Sequence, residues 1–145
     1  MSNFSKYRIV SNMRLILESY SGDTTVEDLI RQKIAISKEP DYDPTFNIIH
    51  DFRESNMLIE IENGKQFLEF LKNNKSIYYK RKVAHLTKTP DQVAKTTLFT
   101  LLQDRNSVEF EVFSTELSAF KWLGIHLNNF ELIYSYLQEM LNIEQ

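Results

Sequence analysis

Two runs of β-forming residues open the chain, Tyr7 to Val10 and Arg14 to Tyr20, with Ser11-Asn12-Met13 between them. In the second run Leu15, Leu17 and Ser19 alternate with Ile16, Glu18 and Tyr20, which is the period of two that a strand requires. Short β runs joined by a few turn residues predict a hairpin. Ser21-Gly22-Asp23 then predicts a break. Thr24-x-x-Glu27 fits a capping box, in which the Thr oxygen accepts from a free backbone N–H and the Glu reaches back. Val26, Leu29, Ile30 and Ile34 come next at helical spacing. The helix is expected to stop before Pro40, because the residue before a proline is pushed out of the helical region.

Phe46 to Phe52 is a compact apolar run that reads as a strand covered on both faces, as in the middle of a parallel sheet. The polar stretch Asp51-Phe52-Arg53-Glu54-Ser55 is expected to turn the chain at its end, and Glu54 to Glu60 shows no clear period. Glu62 to Asn74 predicts a helix with Phe67, Leu68 and Leu71 on one face, and Arg81 to Thr87 another strand. Thr89-Pro90-Asp91-Gln92 combines a capping Thr, a Pro at the first helical position and a box-completing Gln, for a helix running to Asp104. Val108 to Phe113 alternates cleanly, as expected of a sheet edge or half-exposed strand. Ser114 is expected to cap a short helix through Trp122, with Gly124 at its C-terminal cap. A last amphipathic helix spans about Asn129 to Asn142. The order is β-β-α-β-α-β-α-β-α with a further C-terminal helix. It predicts one α/β domain over 1–145, with a mixed sheet of about five strands. The expected core includes Trp122, Phe113, Ile48, Ile49, Val83 and Leu98.

Composition narrows this picture. The length of 145 residues suits one domain with a real core, and 12% aromatics argue against disorder. A net charge of −3 with interspersed signs lacks the basic excess of a nucleic-acid binder. Cysteine is absent, so disulfides and thiol chemistry are excluded. No apolar run approaches a membrane span, and the first residues lack an apolar signal core, so cytoplasmic residence is expected.

Three segments in order carry a resemblance: the hairpin ending in Tyr20-Ser21-Gly22-Asp23-Thr24-Thr25-Val26-Glu27; Asp41-Tyr42-Asp43-Pro44 leading into Phe46-Asn47-Ile48-Ile49-His50-Asp51-Phe52-Arg53; and Val112-Phe113-Ser114-Thr115-Glu116 leading to Ala119-Phe120-Lys121-Trp122-Leu123-Gly124. Together the pattern resembles the SpoIIAA-like family, the STAS and Sec14-related domains, and most of all its uncharacterised bacterial branch. The likeness spans a core of 6–124, with the helix at about 129–142 as an addition. It implies a SpoIIAA-like sandwich and a non-catalytic regulatory, small-ligand or protein-binding domain without a cofactor. In better-studied members an Asp-x-Ser-Gly-type turn carries a serine phosphorylated by a partner kinase. By this resemblance Asp51 matches the Asp and Ser55 the possible phospho-acceptor, with Asn56 where the motif has glycine.

Several side chains are candidates for chemistry. Asp51, Arg53, Glu54 and Ser55 are expected past the C-terminal end of a central strand, the edge that ligands favour in open α/β sheets. Arg53 could grip a carboxylate or phosphate with two parallel bonds, or merely pair with Asp51. His50 and His85 lie in apolar strands that adjacent sheet positions could bring together. With His85 as a ligand contact, either ring with Asp51 would suit a hydrolase or lyase; the alternative is two packed histidines. No His-x-x-x-His or Glu-x-x-His spacing suggests a metal. Lys72, Lys75, Lys80, Arg81 and Lys82, with Tyr78 and Tyr79, form a basic-aromatic cluster that suits an acidic partner or a solvated helix end. The apolar stripe of the last helix, Phe130, Ile133, Tyr134 and Leu137, packs on its own sheet or makes a homodimer. With three glycines in the chain, no phosphate-cradling loop can form.

Overall fold

The computed structural model describes residues 3–77, 79–103 and 108–141. Phe4–Val10 (β1) and Leu15–Thr24 (β2) form the expected antiparallel hairpin around the 3-10 turn Ser11–Met13. Then come Val26–Ser37 (α1), Asn47–Met57 (β3), Ile61–Lys72 (α2), Arg81–Leu86 (β4), Pro90–Leu102 (α3), Val108–Phe113 (β5), Glu116–Trp122 (α4) and Phe130–Leu141 (α5). The five strands lie in sequential order, with β2 to β5 parallel. Residues Asp104 and Asn142, expected as helix ends, lie outside the described residues.

Sequential order has a geometric consequence. Each parallel step moves the same way across the sheet, and right-handed crossovers then place every connecting helix on one face. Accordingly α1, α2 and α3 send Val26, Leu29, Phe67, Leu68, Leu71 and Phe99 into a single cluster with Tyr20 and Phe52. The opposite face, built on Leu15, Leu17, Ile49, Ala84 and Leu86, is covered by the two helices after the last strand, through Phe120 and Ala119 of α4 and Ile133, Leu137 and Met140 of α5. Two layers of helix thus sandwich a sheet whose central strand β3 is buried on both faces, as its continuous apolar run predicts. β5 is an edge strand, in line with its alternation.

The largest departure from expectation lies at the end of β3. Arg53, Glu54 and Ser55 form no turn; the strand runs on to Met57. β2 likewise continues through Ser21-Gly22-Asp23, which pair with Glu54, Ser55 and Asn56. Between the pairs Ser19↔Asp51 and Ser21↔Glu54 the register slips, so Phe52 and Arg53 together oppose Tyr20. This bulge interrupts the period of two, which is why the stretch reads as polar turn rather than strand. Gly22 is required there: its φ is +73°, and a Cβ would lie 2.1 Å from Asn3 Oδ1, which accepts from Asp23 N.

Smaller corrections concern caps and core. α1 is capped by Thr25 with Asp28 completing the box, one residue later than expected, and α4 by Thr115 instead of Ser114. The Thr89–Gln92 box forms as expected. Ile48, Ile49 and Val83 are buried, but Phe113, Trp122 and Leu98 are only half-buried. The homodimer alternative loses its stripe: Ile133 and Leu137 are fully buried on the chain's own sheet, Phe130 packs on Phe120, and only Tyr134 is outward.

Leu137→Ala is expected to cost about 2–5 kcal/mol, and Tyr134→Ala under about 0.5 kcal/mol, in urea unfolding. Equal effects would contradict the burial of this helix against its own sheet.

Candidate functional site

The residues singled out at the end of β3 are spread over both faces. Asp51 is buried and takes the Arg53 fork in two bonds, Nε to Oδ1 and Nη2 to Oδ2, both 2.9 Å. Arg53 Nη1 lies 3.2 Å from Glu116 of α4. Burial opposes the charged guanidinium, but the bonds to Asp51 and Glu116 outweigh it and raise its pKa further. The Asp51–Arg53 pairing foreseen as the alternative forms, but it fastens α4 to the sheet instead of shaping a turn. Glu54 meets Lys88 at 3.4 Å at the surface. Ser55 is buried; its hydroxyl donates to Thr24 Oγ1 at 2.7 Å, and its carbonyl accepts from Gln92. The hydroxyl is thus engaged within the fold.

The hydrolase or lyase pairing of histidine with Asp51 does not form, because alternation sends His50 and Asp51 to opposite faces. His50 and His85 do meet. They are register partners on β3 and β4, stacked with ring centres 5.1 Å apart and Nδ1 atoms 3.2 Å apart. Beside them lie two residues that sequence reasoning missed. Glu18 of β2 is the register partner of His50, and Lys33 of α1 descends onto both. Lys33 Nζ is 2.5 Å from Glu18 Oε2 and 2.6 Å from His50 Nε2. Tyr20 Oη donates to Glu18 Oε1 at 2.6 Å. A charge at an inward strand position between Ile16 and Tyr20, and another on the helix stripe of Val26 and Leu29, was the available signal.

This row crosses the sheet beneath α1, α2 and α3, and every member is buried. Burial pushes the Glu18 carboxyl up, but Lys33 and His50 outweigh it, so its pKa falls well below the usual range. Burial lowers Lys33, against the pull of Glu18. Burial, then the Lys33 charge, lowers His50; burial, then His50, lowers His85 further. Both imidazoles are therefore neutral at pH 7 beside an ion pair.

The row borders a cavity of about 40 Å³. Its apolar wall includes Leu29, Phe52, Phe67, Leu71, Phe99 and Phe110, and its polar wall Lys33, His50, His85, Arg81 and Gln103. Among the described residues, His85 Nε2 and Gln103 Oε1, both buried, find no hydrogen-bond partner. Arg81, expected in a basic surface cluster, is instead buried, donating to the Pro44 carbonyl and, at 3.0 Å, to Tyr42 Oη. Lys82 reaches the Trp122 carbonyl at 3.2 Å, while Lys72, Lys75 and Lys80 stay exposed and Tyr78 lies outside the described residues. That cluster is not one patch. Among the described residues, no group of three or more His, Cys, Asp or Glu is placed to hold a metal ion. None of their helices is long and apolar enough to cross a membrane.

No protein-family model and no curated protein matches the chain. A solved structure does. It is an uncharacterized protein from the DUF3478 family with a SpoIIAA-like fold, from Shewanella loihica PV-4, with a TM-score of 0.58 at 18% sequence identity over 85% of this chain and 96% of that one. The fold is SpoIIAA-like. At this identity the likeness speaks for the SpoIIAA-like architecture alone, and the chemistry rests on the buried row.

The row makes stability depend on pH and on its ion pair. His50 and His85 have folded pKa values below the unfolded value of about 6.5, so as pH falls below it the unfolded chain takes up protons that the folded chain refuses. Stability is complete above about pH 6.5 and falls by up to about 1.4 kcal/mol per pH unit for each histidine. The lowered Glu18 pKa adds a further loss below its unfolded value of 4.5. Urea midpoints should therefore drop between pH 7 and 5, and a flat profile would contradict the buried neutral pair. Separately, Lys33→Met leaves Glu18 buried without its cation and should cost about 3–5 kcal/mol. Glu18→Gln/Lys33→Met should recover most of that.

Proposed function

We propose that this chain is a non-catalytic binding domain that holds a small, largely apolar molecule between its sheet and the helices α1 to α3. The observation that carries this reading is the cavity itself, apolar over most of its wall, with two buried polar atoms left unpaired at its edge. Unpaired buried polar groups cost about 1–3 kcal/mol each, and native folds rarely retain them. A bound molecule that pairs them offsets this cost. Few, fixed polar groups in an apolar wall are the usual composition of a small-molecule site. The candidate reactive groups are engaged elsewhere, which favours binding over turnover: Lys33 is held by Glu18, and Asp51 is held by Arg53 on the other face.

Solution NMR with a methyl-labelled chain tests it. Small apolar probes such as xenon should shift the methyls of Leu71, Val83 and Val108, which line the cavity, and leave Leu127, which is exposed. Val83→Leu, which adds bulk to the cavity wall, should weaken that response at least about tenfold, a difference of about 1.4 kcal/mol. A response that is absent, or spread evenly over the surface, would remove the reading.

A further inference from the structure

The hydrogen bonds of the buried row have a direction. Two groups contact His50 Nε2: Glu18 Oε2 at 3.3 Å and Lys33 Nζ at the shorter 2.6 Å. An ammonium has three donors and no acceptor, so with Lys33 charged the shorter contact makes that nitrogen the acceptor. A neutral imidazole with an accepting Nε2 carries its proton on Nδ1. His50 Nδ1 therefore donates across the 3.2 Å contact to His85 Nδ1. The accepting Nδ1 of His85 puts that ring's proton on Nε2, which is the buried atom without a partner. The relay thus turns an ammonium at one end into an N–H donor at the other, on a residue that lines the cavity. Gln103 Oε1, on the same wall, is a buried acceptor with no partner among the described residues. The two residues are 3% and 9% exposed, so bulk water does not serve them.

We propose that the Lys33–His50–His85 relay presets the cavity for an uncharged hydroxyl or amide compound, whose acceptor takes His85 Nε2–H and whose donor reaches Gln103 Oε1. This deepens the small-molecule reading above and rests on it. Charge at this end of the cavity is balanced, since Glu18 neutralises Lys33. The other cation of the wall, Arg81, stands four residues before His85 on the same strand, about 13 Å away along it, and spends donors on Pro44 and Tyr42. A carboxylate beside His85 would face Gln103 Oε1, while Lys33 and Arg81 are already engaged by Glu18, Pro44 and Tyr42, a costly burial. The 40 Å³ of space takes roughly three water-sized groups, so the recognised portion is short.

The test uses the full chain and four probes of matched size: acetamide, propan-2-ol, acetate and 2-chloropropane. In the free protein, ring nitrogen shifts should show His85 protonated on Nε2 and His50 on Nδ1. In titrations, acetamide or propan-2-ol should bind at least about tenfold tighter than 2-chloropropane, which corresponds to about 1.4 kcal/mol, and acetate should bind more weakly than either. Gain by acetamide alone assigns the amide class, and gain by propan-2-ol alone the hydroxyl class. Gln103→Leu, which removes the unpartnered Oε1, should erase the advantage while 2-chloropropane still binds. His85 protonated on Nδ1, or acetate matching acetamide, overturns the inference while binding of 2-chloropropane keeps the cavity reading. If none of the four binds, both fall.

Discussion

Right-handed crossovers are the constraint on which this molecule depends. Four parallel strands taken in sequential order must carry all three connecting helices on one side of the sheet. The other side is therefore left bare until the chain passes the last strand, so α4 and α5 are structural necessities; their Ala119, Phe120, Ile133 and Leu137 close that face. On the crossover side, helices of 12 or 13 residues pack over the strands, and the space between α1, α2, α3 and the sheet is where the cavity lies.

The second organising feature is the polar row laid through that apolar layer. Glu18, His50 and His85 are cross-strand neighbours on β2, β3 and β4, and Lys33 is lowered onto them by α1. A buried ion pair is weak evidence for stability, since desolvation offsets its attraction. Its physical consequence here is direction: it sets which nitrogen of each ring accepts, and so what the cavity wall offers. The opposite face holds an ion pair of a different kind. Asp51, Arg53 and Glu116 satisfy one another and tie β3 to α4.

The outlines of this fold were legible in local patterns. The order of elements, the central position of Phe46 to Phe52, the Thr89-Pro90-Asp91-Gln92 helix start and the edge character of β5 all follow from periodicity and capping chemistry. The meeting of His50 and His85 was also foreseeable, because both sit in parallel strands joined by one crossover. The candidate site was less legible. Arg53, Glu54 and Ser55 looked like a turn because a bulge hides their strand. Arg81 looked like part of a surface cluster because its neighbours in sequence are solvated lysines, whereas its own side chain turns inward.

The sequence by itself determined the order and type of the elements and which face of each is apolar, since those depend on residues within a turn or two of one another. Only the tertiary structure decided the partners. Lys33 is 15 residues from Glu18 and 17 from His50, and His50 is 35 from His85. No local propensity encodes such pairings. They arise from strand register and from the angle at which α1 crosses the sheet, and with them come the orientation of the protons and the unpaired atoms of the cavity.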